Sequence, residues 1–591
     1  MTLRSIGVLC VSVSKAAAAN PTVDVAGLGK IVGTLSAFDA GIALFRGIPF
    51  AEPPLGDRRF QPPIAHGPWA APLQATDWGA KCVQAPGNFS HISKMSEDCL
   101  FLNVAAPLSA VKTRGNRSSS SKLPVMVWIH GGGYTMGSSD YDLDVLVAGS
   151  KGAVLCVSIN YRLNLFGFIG SESLSAAAAD GSSGNYGIAD QRLALAWVQA
   201  HIADFGGDPS AVTLFGESAG GNSIMSHLAA KPSYALYANA VIESGTYTGG
   251  AFPMSFAQAA FDKVLGATGC ADVACLVGLD AASLFAAGAG SSPGWGPVVD
   301  GIALTATPVE LIASGKYNAL APVLIGSNRD EMAFTAIDGL PSDLNETGFE
   351  AVLRGGQFSS EEIEKAKAIY ANSSSGYVYP SRRGIFSEWW WAAMRVKTDL
   401  VPGIGACGVR WLARMLLNGG SPAVYTYLFA HPTQTDPYDG RVPGLGPGSV
   451  LVPHASEIGY VFDLEHRLTP GAEADLAALV SRFWTNFARS ADPNRGAPTP
   501  VAWPKYTADA DQLLRFAVGE DMVGEDGSRG GSEDGSREGG AVEAQVEAHS
   551  SDGGGVAVQS GLRQQACDFM EGRLRAGRSS APWLWSSTGA L

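Results

Sequence analysis

The sequence predicts an α/β fold: a large, mostly parallel central sheet flanked by helices, opened by a small N-terminal antiparallel hairpin. Three observations predict it. Short apolar runs bounded by turn residues recur at 124–129, 153–159, 211–215, 240–244, 321–326 and 423–429. Runs that are apolar throughout, rather than alternating, are the pattern of strands covered on both faces. Helix-like stretches lie between several of them; in 188–205 the apolar residues fall three and four apart and share one helical face. Strands alternating with helices imply a parallel sheet with helices on both sides. At 33–50, two apolar runs surround Asp39-Ala40-Gly41, a turn sequence that closes a hairpin.

A chain of 591 residues is long for one domain, but a large helix-covered sheet absorbs such a length. With 46% hydrophobic and 16% charged residues it can bury a sizeable core. Its apolar runs fall short of the ~18 residues of a membrane span, so no transmembrane segment is expected. A net charge of -14 would repel phosphate backbones and anionic membranes, and nucleic acid is not an expected partner. Residues 1–19 resemble a signal peptide, with Arg4, an apolar stretch over 6–13, and Ala17 and Ala19 before Asn20. Sequons at Asn88, Asn116, Asn345 and Asn372 fit a glycosylated, secreted chain. Residues 20–518 form the main domain. The stretch 519–560 opens acidic, rich in Gly and Ser, and without aromatics, which predicts a disordered insertion, and 561–591 resume with a helix-like pattern.

The pattern GxSxG occurs twice among the 73 glycines, around Ser218 and around Ser292. Only Ser218 follows a buried-strand pattern and precedes a helix-like one, the context in which a sharp turn lifts a hydroxyl above a sheet. Pro293 and the lack of a preceding strand make Ser292 a loop coincidence. Gly131 to Gly133 directly follow the run 124–129, where bare backbone can approach a developing oxyanion. A serine hydroxyl needs a base, and histidine titrates near working pH. Of nine histidines, four lie far enough downstream for the order serine, acid, histidine; His549 falls in the stretch expected to be disordered, which leaves His431, His454 and His466. His454 sits between a strand-like and a helix-like run and is the candidate. The acid that orients it comes from the turn after 321–326, where Asp330 and Glu331 are not separable by spacing.

The ordered motifs EDCLFLNV, WIHGGGY, NYRLNLFGF, GNYGIADQRLALAWV, FGESAGG, GSNRDEMAF and PHASEI together resemble the type-B carboxylesterases, which include the cholinesterases and Candida-type lipases. The resemblance runs from about 33 to 516. It implies an α/β-hydrolase fold and a serine carboxylic-ester hydrolase working through an acyl-enzyme. It implies Ser218 as nucleophile, Glu331 rather than Asp330 as acid, and His454 as base. It further implies an oxyanion hole from the N–H groups of Gly132, Gly133 and Ala219, with Glu217 and Ser244 as support. Ion pairs Arg162–Asp190 and Arg59–Glu97 follow from the same resemblance. So do disulfides Cys82–Cys99, Cys270–Cys275 and Cys407–Cys567, the last tying the C-terminal helix to the main domain; six paired cysteines belong in an oxidising compartment.

Departures from the family narrow the expected substrate. The loop between Cys82 and Cys99 is short and has no Trp, whereas cholinesterases hold a quaternary ammonium there by cation–π attraction. The same shortness argues against a long lipase lid. Small or medium neutral esters are the expected substrates; the alternatives are an interfacial lipase on long-chain esters and a non-catalytic neuroligin-like binding protein. No metal or cofactor is called for. Trp295 has two readings, acyl-pocket wall or core residue, and the oligomeric state is left open.

Overall fold

The computed structural model describes residues 20–86, 90, 92–111, 122–246, 250–292, 294–371, 386–435, 449–518, 546–549, 554–561 and 563–576. The leader expected at 1–19, the sequons at Asn88, Asn116 and Asn372, and 519–545 lie outside these residues. The main sheet contains β1 (Thr34–Leu35), β2 (Ile42–Pro49), β3 (Phe101–Pro107), β4 (Leu123–Ile129), β5 (Leu155–Ile159), β6 (Gly207–Glu217), β7 (Asn239–Glu243), β8 (Val323–Asn328), β9 (Val424–Phe429), β10 (Gln512–Val518), β11 (Val546–His549) and β12 (Gly554–Ser560). Its spatial order is β11-β12-β10-β9-β8-β7-β6-β4-β5-β3-β2-β1. From β10 to β5 all neighbours run parallel; at both edges they run antiparallel. Each apolar run read from the sequence is one of the central strands, and β1 with β2 is the expected hairpin. In a separate small sheet Gly29–Val32 pairs antiparallel with Thr22–Val25 and parallel with Leu73–Gln74.

Pleating divides the strand residues between two cores. Val125, Val127 and Ile129 face the cluster shared with helices α2 (Tyr186–His201), α3 (Ala219–Ala229) and α5 (Ala406–Asn418). Met126 and Trp128 face the other side, with α1 (Leu143–Gly149) and α6 (Ala472–Ser490). A third cluster joins Met332, Trp390, Trp391, Cys407 and Cys567; it contains α4 (Glu388–Thr398) and part of α7 (Gln564–Arg575). The register makes four strand ends level: Ile129 opposes Gly216, Gly216 opposes Ile242, and Ile242 opposes Ile325. The loops after β4, β6, β7 and β8 therefore leave the sheet side by side, at the carboxyl edge where open α/β sheets form their crevices.

Within the stretch expected as disordered over 519–560, the structure instead has two strands. β12 pairs antiparallel with β10, and β11 pairs with β12. The reason is local: Val556 and Val558 alternate with small residues and are buried on the α6 side of the sheet, a period-2 pattern that the acidic composition upstream conceals. Among the described residues there are three disulfides, Cys82–Cys99, Cys270–Cys275 and Cys407–Cys567. The last spans 160 residues and ties α7 to α5, where Arg410 also pairs with Asp568 at 2.6 Å. Arg59–Glu97 and Arg162–Asp190 are both present as buried pairs, at 2.6 and 2.7 Å.

Titration of unfolded protein should find six more thiols after reduction than before. Replacing both Cys407 and Cys567 by Ser should lower stability by about 2–5 kcal/mol, read as a fall in melting temperature; an unchanged thiol count would refute the pairing.

Candidate active site

β6 ends at Glu217, and the chain turns at Ser218 with φ 59° and ψ −123° before α3 begins. A non-glycine residue in such a conformation costs on the order of 1–3 kcal/mol, so its surroundings must impose it. The Ser218 N–H donates to the Glu243 carbonyl at 2.9 Å, and the Ser218 carbonyl accepts from the Asn222 N–H at 2.9 Å. The flanking glycines are required by space. A Cβ on Gly216 would come within 2.5 Å of the Ile129 carbonyl oxygen, and one on Gly220 would collide with the same atom. Strand-end packing thus explains both glycines of GESAG.

The glycine run after β4 lies against this turn. A Cβ on Gly131 would sit 2.9 Å from the Ser218 Cβ, and one on Gly132 would collide with the Met136 carbonyl, which lies in a tight turn. The Thr135 and Met136 N–H groups both donate to the Gly132 carbonyl, at 3.0 and 3.1 Å. Gly132 and Gly133 take φ of 98° and 60°, open to glycine at little cost. Among the described residues, the N–H groups of Gly132, Gly133 and Ala219 have no acceptor. The loop is locked to α3 because Asn222 Nδ2 donates to the Tyr134 hydroxyl at 2.8 Å.

Glu331 and His454 meet. His454 Nδ1 lies 2.6 Å from Glu331 Oε2. The other carboxylate oxygen, Oε1, accepts from Ser244 Oγ at 2.5 Å and from the Asn328 N–H at 2.6 Å. Both Glu217 and Glu331 are buried, and His454 is 12% exposed on its side chain. His454 Nε2 lies 3.1 Å from Glu217 Oε1, so the chain neighbour of Ser218 touches the imidazole. That contact is not aligned as a hydrogen bond. The Phe334 ring stacks on His454, with centroids 5.3 Å apart and planes inclined by 26°, and forms an apolar wall.

Three carboxyl groups, Glu217, Glu331 and Glu457, act on this imidazole, and Glu243 lies next to Glu457 and Glu217. Burial pulls the His454 pKa down, but the charges of Glu217 and Glu331 outweigh it and leave it raised to about 9. Burial pushes Glu217 up to about 8, against the opposing charge of His454. Burial, then the Glu331 charge, lifts Glu457 to about 7. Glu457 is tied to Asn328 Nδ2 at 2.5 Å and to the Tyr427 hydroxyl at 3.3 Å. Burial holds Glu243 well above the carboxylate range, and its Oε1 accepts from Trp484 Nε1 at 2.7 Å. Sequence reasoning did not single out Glu243, Glu457 or Phe334, although Glu243 lies in AVIES, Glu457 in PHASEI and Phe334 in GSNRDEMAF.

The rejected residues are engaged elsewhere. Ser292 bonds the Gly294 carbonyl, and His431 pairs with Glu473 at 3.0 Å. His466 is exposed and packs on Phe38. The buried His227 bridges Ser233 and Gln191. Trp295 belongs to the main core cluster, the second of its two readings. Asn345 is exposed and caps the helix Glu346–Gly355 through a bond from the Gly348 N–H at 2.9 Å.

Comparison with known proteins supplies the context of this site. The sequence model of the carboxylesterase family matches residues 19–527. Carboxylesterase 1E of Mus musculus is 30% identical over 524 residues, 81% of this chain and 87% of that protein. Acetylcholinesterase of Bungarus fasciatus is 32% identical over 519 residues, 82% of this chain and 80% of that protein. The crystal structure of a carboxylesterase of Geobacillus stearothermophilus superposes with a TM-score of 0.69 at 30% identity, covering 84% of this chain and 96% of that one. A family match over most of the chain and a relative's fold superposed on it agree with the level strand ends, the serine turn and the paired histidine and glutamate: this chain belongs to the carboxylesterase family and is a carboxylic-ester hydrolase with the α/β-hydrolase fold.

Proposed function

We propose that the chain hydrolyses small or medium neutral esters through an acyl-enzyme on Ser218. Ser218 Oγ attacks the ester carbonyl carbon while His454 Nε2 takes the hydroxyl proton, and Glu331 holds the imidazole through Nδ1 and stabilises its charge. The tetrahedral oxyanion is received by the N–H groups of Gly132, Gly133 and Ala219. His454 returns the proton to the leaving alcohol. Water, activated by the same imidazole, then attacks the acyl-enzyme and releases the acid. The observation that carries this reading is the buried 2.6 Å contact between His454 Nδ1 and Glu331 Oε2, with Glu217, the chain neighbour of a Ser218 held at φ 59°, against the other side of the same imidazole. Three backbone donors without acceptors support the oxyanion assignment, and Glu217 and Ser244 act as supporting residues. The short, Trp-free loop between Cys82 and Cys99 favours neutral esters over choline esters. Three disulfides and an exposed sequon at Asn345 favour an oxidising, secretory compartment.

His454→Ala should lower kcat on p-nitrophenyl acetate by on the order of 10⁴-fold or more without unfolding the protein. Retained turnover would remove His454 from the mechanism. A chain-length series with and without detergent should peak at short or medium acyl groups; a preference for emulsified p-nitrophenyl palmitate would identify a lipase, and absence of Ser218-dependent turnover a binding protein.

The pH dependence has a definite sign. Neutral imidazole is the base, so activity falls as pH drops through the pKa of His454. The Glu217 charge raises that pKa, hence Glu217→Gln should move the acid limb of the kcat/KM profile to lower pH. A limb that stays in place or moves upward would exclude this coupling.

A further inference from the structure

The two acidic residues that follow β8 point to different partners. Glu331 meets His454. Asp330, fully buried, turns its carboxylate to the loop and helix behind: Oδ2 accepts from the Val452 N–H at 2.9 Å and from Arg329 Nε and Nη2 at 3.0 and 2.8 Å. Its Oδ1 lies 2.9 Å from Arg395 Nη2 on α4. Burial alone would push this carboxyl up, but the two guanidinium groups outweigh it and hold the pKa below the usual carboxylate value.

Residues 330–331 and 452–454 are thus joined at three points. The Asp330 N–H donates to the Val452 carbonyl at 2.9 Å, the Val452 N–H donates to the Asp330 carboxylate, and the His454 N–H donates to the Glu331 carbonyl at 3.3 Å. Pro453, between the two donors, has no N–H to offer. Backbone bonding alone therefore leaves Val452 half tied, and the Asp330 side chain supplies the missing acceptor. The turn is braced from behind as well. Arg395 Nη1 and Arg563 Nη2 both donate to the Arg329 carbonyl, at 3.2 and 2.9 Å, and Arg563 pairs with the buried Asp399 at 2.6 Å. Glu331 and His454 are separated by 123 residues, so the 2.6 Å contact between their side chains is only as accurate as this backbone junction.

We propose that Asp330 is a positioning residue for the acid–base pair: its carboxylate, anchored by Arg329 and Arg395, clamps the loop that carries His454 to the turn that carries Glu331. The proposal rests on the assignment of those two residues as base and acid. It makes Asp330 necessary for turnover although it touches neither the imidazole nor the substrate. A misplacement of about 1 Å costs on the order of 10²-fold in rate, and because the clamp acts on the base and not on substrate contacts, the loss belongs in kcat.

The decisive comparison uses two double variants of the full chain with equal net charge. Asp330→Asn with Arg395→Met keeps an acceptor for the Val452 N–H; Asp330→Leu with Arg395→Met removes it. On p-nitrophenyl acetate the second should fall on the order of 10²-fold in kcat below the first, with KM differing less than about twofold between them. Equal kcat in the two, or a loss residing in KM, would overturn the proposal. Should the Leu variant fail to fold by near-ultraviolet circular dichroism, Asp330→Glu provides the same test. It keeps the charge and displaces the acceptor, and is expected to lower kcat at least about tenfold at unchanged KM; wild-type kcat would overturn the clamp. His454→Ala in the same assay separates the two levels. An active His454→Ala enzyme defeats the base assignment itself, whereas an inactive one beside a fully active Leu variant defeats only the clamp.

Discussion

The register of four parallel strands is the constraint on which the site depends. Because Ile129, Gly216, Ile242 and Ile325 oppose one another in sequence across the sheet, the glycine loop, Ser218, Ser244 and the 328–331 turn leave the same edge at the same level. A slip of one residue would send each side chain to the opposite face. The tight approach of Gly216 and Gly220 to the Ile129 carbonyl is where that register becomes steric. It lets the turn at Ser218 be held in a backbone conformation that the residue alone would avoid, with the rest of the sheet supplying the free energy.

Electrostatics supplies the second layer. Placing Glu217, Glu331 and Glu457 around one imidazole, with Glu243 next to two of them, would be costly if all were charged. Burial offsets part of that cost by raising Glu243, Glu217 and Glu457 above their ordinary range, while the carboxylate charges of Glu217 and Glu331 raise the histidine. Each carboxyl also has a named donor or cation. Trp484 serves Glu243, Asn328 serves Glu457, Ser244 and the Asn328 N–H serve Glu331, and His454 lies beside Glu217.

The C-terminal helix belongs to the same design. α7 is joined to α5 by Cys407–Cys567, and Arg563, just before the helix, reaches the carbonyl of Arg329 beside the acidic turn. A segment remote in sequence therefore stiffens the backbone from which Asp330 and Glu331 project. Contacts of this kind pack α7 against α5, and β12 adds a strand at the far sheet edge.

Local sequence determined much of this protein. Apolar runs bounded by turns are legible as buried strands because both faces of each are covered, and GESAG after such a run is legible because the strand-turn-helix context is itself local. The ordered motifs were sufficient for the family, and the cysteine pairs followed from it. Other features were decided only by tertiary structure. Whether Asp330 or Glu331 faces His454 depends on the direction of two adjacent side chains, which spacing does not encode. The raised pKa of Glu243 comes from burial, and the donor that meets its carboxylate, Trp484, is 241 residues away. The strands at 546–549 and 554–560 exist because β10 offers an open edge for Val556 and Val558 to cover, and no count of acidic and glycine residues can see an edge that is built elsewhere in the chain.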